Sequence, residues 1–168
     1  DQIVVTPSYY LTLTRDSEFL AHYATIRAAT DAELIVYNIP PCTGSNLPLS
    51  VIFDMARRGW TRYCKDSSAD NARFAQLLAG APEVGLTVFQ GSEANMAWAL
   101  EQGARGLVPG CANFHAAPFV RLWQAAQVGD TATMAACQEE ITRLVEVVVK
   151  GDHHWLAGLH YACHLCGL

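Results

Sequence analysis

The sequence predicts an α/β protein, a parallel sheet with helical crossovers, and within that class a piece of a (β/α)8 TIM barrel. Three observations predict it. Short β-rich apolar runs alternate with longer stretches at helical spacing, five times over. Successive strands recur at intervals of about 20 to 30 residues, close to one-eighth of a ~250-residue barrel. Polar residues collect just past the strand ends, at Tyr37, Lys65-Asp66-Ser67-Ser68, Gly91-Ser92-Glu93 and Asn113, where barrel enzymes keep their active sites. The competing architecture is an open doubly wound sheet, but no Gly-rich phosphate loop follows the first strand as it would in a dinucleotide-binding fold.

Each element has a local reason. Ile3-Val4-Val5 is an apolar run stopped by Thr6-Pro7, and Phe19, Leu20, Tyr23 and Ile26 then recur at helical spacing. Leu34 to Tyr37 is a second strand, ended by Pro40-Pro41 and the turn residues Thr43-Gly44-Ser45-Asn46. Val51, Ile52 and Met55 mark a helix that Gly59 terminates. Trp60 to Cys64 is a third strand with Lys65 at its exit, and Asp70 caps a helix carrying Phe74, Leu77 and Leu78. Leu86 to Phe89 is a fourth strand, followed by Gly91 and a helix through Met96, Ala97 and Leu100. Gly106-Leu107-Val108 is a short fifth strand before a helix with Phe119, Leu122, Trp123 and Ala126, of which Phe119 and Trp123 are expected in the core. From Asp130 onward the pattern is helical only: Met134, Ile141, Leu144, Val145 and Val148 share a face, and a last helix runs from about His153 to Leu165. Residues 1–128 are therefore expected to form the partial barrel, about its units four to eight, with five C-terminal βα units present and the N-terminal strands outside this chain. Residues 129–168 are expected to pack on it as a C-terminal helical extension.

Composition bounds the function. The 168 residues are 51% hydrophobic and 16% charged, enough apolar matter for a sizeable core and too much for a disordered chain. The net charge is −5 and the 11 Lys and Arg residues are scattered, which argues against a nucleic-acid surface. No apolar stretch approaches the roughly 18 residues of a membrane span. Cys42, Cys64, Cys111 and Cys137 stand alone in apolar or small-residue surroundings, as expected of reduced, buried thiols in a cytoplasmic protein. No secretory signal pattern opens the chain, although it begins at Asp1 and not at Met.

Lys65 is the leading candidate for chemistry. Lysine occurs only there and at Lys150, whereas arginine is common. A lysine amine can lose its proton and attack a carbonyl, which a guanidinium cannot. Burial favours the neutral, nucleophilic amine and makes Schiff-base chemistry accessible. Tyr37, at the end of another strand, is placed to supply the proton transfers that carbinolamine formation and C–C cleavage demand. The plainer alternative is a solvated Lys65 paired with Asp66.

Tyr37-Asn38-Ile39-Pro40-Pro41-Cys42-Thr43-Gly44 resembles the Y-N-x-P-x-x-T-G segment of the N-acetylneuraminate lyase and dihydrodipicolinate synthase family of class I aldolases. Lys65-Asp66-Ser67-Ser68-Ala69-Asp70 is similar to that family's Schiff-base lysine segment, and Val4-Val5-Thr6-Pro7-Ser8-Tyr9-Tyr10 to its V-x-T-P-Y-Y turn. Gln90-Gly91-Ser92-Glu93 and Gly106-Leu107-Val108 fall where its seventh and eighth strands end, so the resemblance covers nearly the whole chain in order.

The resemblance implies a lyase or aldolase in which Lys65 forms an imine with pyruvate or a related 2-oxo acid, with no metal or organic cofactor. It makes Tyr37 the proton-shuttling hydroxyl and Tyr9 the tyrosine that extends the relay into a neighbouring subunit. It puts Thr43, Gly91, Glu93 and Val108 in the substrate pocket. It also implies a cytoplasmic homotetramer, a dimer of dimers, with no nucleic-acid or membrane partner. Where synthases carry an Arg that holds the second substrate's carboxylate, this chain has Cys42. A sugar-acid aldolase or a dehydratase is therefore favoured over a dihydrodipicolinate synthase. Ser92-Glu93-Ala94 departs from the Asp-Glu pair of the sialic acid lyases, and the family's T-T-G-E carboxylate loop would lie before the first strand read here.

Other functional classes have weaker footing. The alternative to an enzyme is a non-catalytic or degenerate half-barrel that assembles with a partner chain. His160, Cys163 and His164 share a helical face, with His153, His154 and Cys166 nearby, but no second cysteine pair completes a zinc site. Helix packing, with Trp155, Leu156, Leu159 and Ala162 as a core stripe, is the expected use of that segment. Cys163-x-x-Cys166 lacks the strand-then-helix setting of a redox pair. His115 is expected to pack or cap at a helix start more than to line a pocket. Flavin or nucleotide binding has no Gly-rich loop to support it.

Overall fold

Alternation of apolar and polar residues along the strands gives the sheet two unlike faces, and the helices cover one of them. The computed structural model describes residues 1–168. They form two compact units, Asp1–Phe89 and Gln90–Leu168.

The first unit holds β1 (Gln2–Val5), α1 (Asp16–Ala29), β2 (Glu33–Asn38), α2 (Pro40–Thr43), α3 (Leu49–Arg57), β3 (Thr61–Asp66), α4 (Asn71–Gly80) and nearly all of β4 (Thr87–Gln90). The second holds α5 (Met96–Glu101), β5 (Gly106–Leu107), α6 (Ala117–Val128), α7 (Thr131–Val148) and α8 (Trp155–Leu165). The sheet is parallel and five-stranded, in the order β1-β2-β3-β4-β5. The expected α/β class and five-strand pattern are therefore present.

Within the first unit, Leu34, Val36, Cys64 and Val88 point to the buried face. There they meet the helical side chains Phe19, Tyr23, Val51, Ile52, Met55, Phe74 and Leu77, all almost fully buried. Each such side chain contributes about 1.5–3 kcal/mol of transfer free energy. Ile35, Tyr37, Tyr63, Lys65 and Phe89 occupy the opposite, half-buried face, where the Tyr63 and Phe89 rings stack at 6.1 Å.

One irregularity sets the register. Leu34 pairs with Thr61 but Ile35 pairs with Tyr63, so Arg62 is an extra residue in β3. The Thr61 hydroxyl fills the interrupted ladder: it donates to the Leu34 carbonyl at 2.6 Å and accepts from the Tyr63 amide at 3.1 Å. Arg62 swings out to a two-point contact with Glu33. Beyond the bulge the pairs are Val36 with Cys64, Tyr37 with Lys65 and Asn38 with Asp66, buried opposite buried and half-buried opposite half-buried. Lys65 thus lies inside β3, not beyond its exit as the sequence indicates.

The Pro40-Pro41 stop opens a single helical turn, α2, with Pro at its first position, where the missing N–H costs nothing. Gly44 ends it at φ +68°, and a Cβ there would also stand 3.2 Å from the Thr12 hydroxyl oxygen. Asp70 caps α4 as expected, accepting from the Arg73 amide at 3.0 Å.

In the second unit, Met96 and Cys111 pack with Phe119, Leu122 and Ala125 of α6 and with Met134, Cys137 and Ile141 of α7. Two expectations fail here. Trp123 is 43% exposed, because the α6 stripe that meets α7 runs through Phe119, Leu122 and Ala125 and leaves Trp123 to one side. Helix α8 buries none of its residues, and of its expected core stripe only Leu159 packs against the cluster. Its crossing near the end of α7 depends on Gly158, where a Cβ would come within 1.9 Å of the Val148 carbonyl oxygen. No helix is long and apolar enough to cross a membrane.

Replacing Thr61 by Val keeps the volume and removes the hydroxyl from the buried bulge. We expect a loss of about 1–3 kcal/mol, read from the urea unfolding midpoint. An unchanged midpoint would mean that the backbone holds the bulge without it.

Candidate active site

The parallel register delivers Tyr37 and Lys65 to the same face at the ends of neighbouring strands. The Lys65 Nζ stands 4.1 Å from the centroid of the Tyr37 ring. The negative face of the ring meets a positive charge there, an attraction of about 0.5–2 kcal/mol according to how far the pair is desolvated. The phenol oxygen accepts from the Ser67 hydroxyl at 3.3 Å. A nucleophilic amine, a phenol and a hydroxyl donor are thus grouped at one strand end.

Lys65 does not pair with Asp66. Alternation along β3 turns Asp66 to the buried face, where Asn38 Nδ2 donates to its Oδ2 at 2.8 Å and Arg73 Nε approaches at 3.4 Å. Its Oδ1 accepts from the Ser68 amide at 2.9 Å and from the Ser68 hydroxyl. Asn38 extends the network. Its Oδ1 accepts from the Leu47 amide at 2.9 Å, its Nδ2 also donates to Asn46 Oδ1 at 3.0 Å, and its carbonyl accepts from the Ser67 amide at 2.9 Å. Arg73, from α4, donates as well to the Leu47 carbonyl.

Asn38, Ser67 and Arg73 are the members to which the sequence assigns no role of their own. Asn38 and Ser67 were visible as neighbours of Tyr37 and Lys65, whereas nothing in the sequence marked Arg73 among nine arginines.

The remaining candidates are placed as follows. Thr43 is buried, and its hydroxyl is spent on its own loop, bridging the carbonyl of Ile39 and both backbone groups of Ser45. Tyr9 sits on the turn Ser8–Leu11, closed by the Leu11 amide on the Tyr9 carbonyl, with its side chain 60% exposed and outside the Lys65–Tyr37 contact.

Gly91, Glu93 and Val108 belong to the second unit. Gly91 follows β4 and is buried, while Val108 follows β5, is exposed, and donates its amide to the Gln90 carbonyl at 2.9 Å. Glu93 Oε1 accepts from the amides of Gly110 and Cys111 at 2.7 and 3.1 Å, and Gln138 of α7 donates to the Glu93 carbonyl. Burial first, and then the Glu93 charge, push the Cys111 thiol up to about 12.

His115 lies ahead of α6, which begins at Ala117, and reaches Glu140 of α7 at 3.4 Å. No group of three or more His, Cys, Asp or Glu side chains is arranged to hold a metal ion. All six cysteines are free thiols: Cys64, Cys111 and Cys137 are buried, whereas Cys42 is only half-buried.

Comparison with known proteins is consistent along the whole chain. The profile of the "Dihydrodipicolinate synthetase family" matches residues 2–168. An uncharacterised DapA-like lyase of Halobacterium salinarum is 34% identical over 165 residues, 98% of this chain and 52% of that protein. The 2-dehydro-3-deoxy-D-gluconate/2-dehydro-3-deoxy-phosphogluconate aldolase of Picrophilus torridus is 33% identical over 111 residues, 66% of this chain and 41% of that protein. Among solved structures, the dihydrodipicolinate synthase of Bacteroides thetaiotaomicron superposes with a TM-score of 0.87 at 29% identity, over 99% of this chain and 57% of its own. The chain spans about half the length of the curated relatives it matches.

Thiol alkylation of the native protein separates the cysteines. Exposed Cys166 should be modified by iodoacetamide at pH 8, and Cys111 only after unfolding, as read by peptide mass mapping. Equal rates at the two would show that the Glu93 loop does not stay closed in solution.

Proposed function

The chain belongs to the dihydrodipicolinate synthetase family, and on that premise we propose that it is the imine-forming part of a lyase or aldolase acting on pyruvate or a related 2-oxo acid. The observation that carries the reading is the Lys65 amine lying 4.1 Å from the Tyr37 ring centroid, on paired positions of adjacent parallel strands. Lys65 Nζ, as the free amine, attacks the ketone carbon of the oxo acid, forming a C–N bond while the carbonyl pair moves to oxygen, which takes up the proton that the nitrogen sheds. Loss of that oxygen as water leaves an iminium ion. The Tyr37 hydroxyl delivers the proton to the departing oxygen.

In aldol cleavage the Tyr37 oxygen then takes the proton from the substrate hydroxyl two carbons beyond the imine carbon. The bond between that hydroxyl-bearing carbon and the carbon next to the imine breaks, its electron pair enters the iminium to give an enamine, and an aldehyde leaves. The iminium charge forms at the nitrogen that now lies beside the Tyr37 ring, whose negative face favours it.

A sugar-acid aldolase or a dehydratase fits this chain better than a dihydrodipicolinate synthase. Cys42 brings no charge to the position where synthases hold a carboxylate, and the Picrophilus relative is an aldolase by its name. In this reading Thr43 lines the substrate pocket through the shape of its loop. Tyr9, on its exposed turn, serves a neighbouring subunit of a homotetramer built as a dimer of dimers. Residues 1–128 supply about units four to eight of the barrel and 129–168 its helical extension. Catalysis needs no metal or organic cofactor, and the free thiols fit a cytoplasmic protein.

Borohydride reduction in the presence of pyruvate, followed by peptide mass mapping of the full-length protein, should place a covalent adduct on Lys65, absent from Lys65→Ala. Undiminished turnover in Lys65→Ala would end the imine reading. Tyr37→Phe should slow turnover by about 10²–10⁴-fold while half-saturating pyruvate changes little. A change confined to binding would remove Tyr37 from proton transfer.

A further inference from the structure

Asp66 follows Lys65 in sequence, yet its carboxylate faces the other side of β3 and is 1% exposed. The donors that converge on it come from three places: Asn38 at the end of β2, Ser68 in the loop after β3, and Arg73 in α4. We propose that Asp66 is a positioning residue for the Lys65–Tyr37 pair, its buried carboxylate holding the ends of β2 and β3 in the register that lays the amine against the ring and the Ser67 hydroxyl on the phenol.

The geometry gives a direct path. The Asn38–Asp66 pair is the next rung after Tyr37–Lys65, so a displacement at one is felt at the other. The Asn38 carbonyl, fixed by the same side-chain bond, accepts from the Ser67 amide, and the Ser67 hydroxyl donates to Tyr37. Chemistry explains why an acid is needed. Every partner of Asp66 is a donor, so both of its oxygens must accept. An asparagine would turn its amino group either toward Asn38 and Arg73 or toward the Ser68 amide, and one donor would face another in both orientations.

The catalytic consequence rests on the imine reading, so the test separates the two. In full-length wild type, Lys65→Ala, Asp66→Asn, Ser68→Ala and the exchange Asn38→Asp with Asp66→Asn, two quantities are read. The first, without substrate, is the upfield NMR displacement of the Lys65 ε-methylene protons by the Tyr37 ring, assigned with Lys65→Ala. The second is the rate and pyruvate dependence of adduct trapping.

Asp66→Asn should lose most of the displacement and trap about 10- to 100-fold more slowly, with half-saturating pyruvate nearly unchanged. The exchange variant, which restores a donor–acceptor pair between positions 38 and 66 but leaves the new amide facing Arg73, should recover part of the displacement and part of the trapping rate relative to Asp66→Asn alone. A folded Asp66→Asn protein with wild-type displacement and trapping overturns the proposal. If that variant fails to fold, Ser68→Ala decides. It removes one donor and leaves the charges alone, and about a threefold loss with a reduced displacement is expected, whereas no change overturns the proposal. If wild type forms no adduct, the imine reading falls, and the displacement alone decides: loss in Asp66→Asn upholds positioning, retention overturns it.

Discussion

A carboxylate that is 1% exposed must find donors for both oxygens or be expelled, and Asp66 takes its donors from three separate stretches of chain. The bond from Asn38 is the one that joins two strands. It fixes the point at which β2 gives way to the Pro40–Thr43 turn and β3 to the Ser67–Asp70 loop, so both loops leave the sheet from a common anchor. Arg73 adds a third tie, from α4 back to Leu47. With Arg73 itself only 12% exposed, removal of either charge would leave the other stranded, at a cost of about 3–5 kcal/mol.

The other ion pairs are of a different kind. Arg15–Glu18, Arg58–Asp54, Arg62–Glu33 and Arg121–Glu140 lie at the surface, where such pairs contribute about 0–1 kcal/mol. The chain thus uses its arginines mostly as solvated partners and buries one where geometry matters. Lys65 stands apart from all of these: its neighbour is an aromatic face, not a carboxylate. That arrangement holds the amine in place without a carboxylate to lock it as the ammonium.

Much of this was legible in the residues. The strands announced themselves as short apolar runs, and the rarity of lysine was enough to single out Lys65. What stayed hidden has physical causes. A bulge at Arg62 leaves no periodic trace, because one extra residue in a six-residue strand looks like ordinary scatter. Arg73 acts across 7 residues and a change of element, beyond the reach of spacing rules. Trp123 and the α8 stripe show that helical periodicity identifies an apolar face and not what covers it. The Thr43 hydroxyl is committed to its own loop by contacts that only the folded turn creates.

The bulge also decides where β3 tolerates a change of length. Since Arg62 is the supernumerary residue, deleting it would close the ladder with Thr61 and Tyr63 still opposite Leu34 and Ile35, and Lys65 still beside Tyr37. Deleting Tyr63 or Cys64 instead would draw Arg62 into the ladder, and loss of Cys64 would turn Tyr63 to the buried face in its place. Related chains that gain or lose a residue between Trp60 and Asp66 should therefore do so at the Arg62 position, where Tyr63 and Cys64 keep the faces they now occupy.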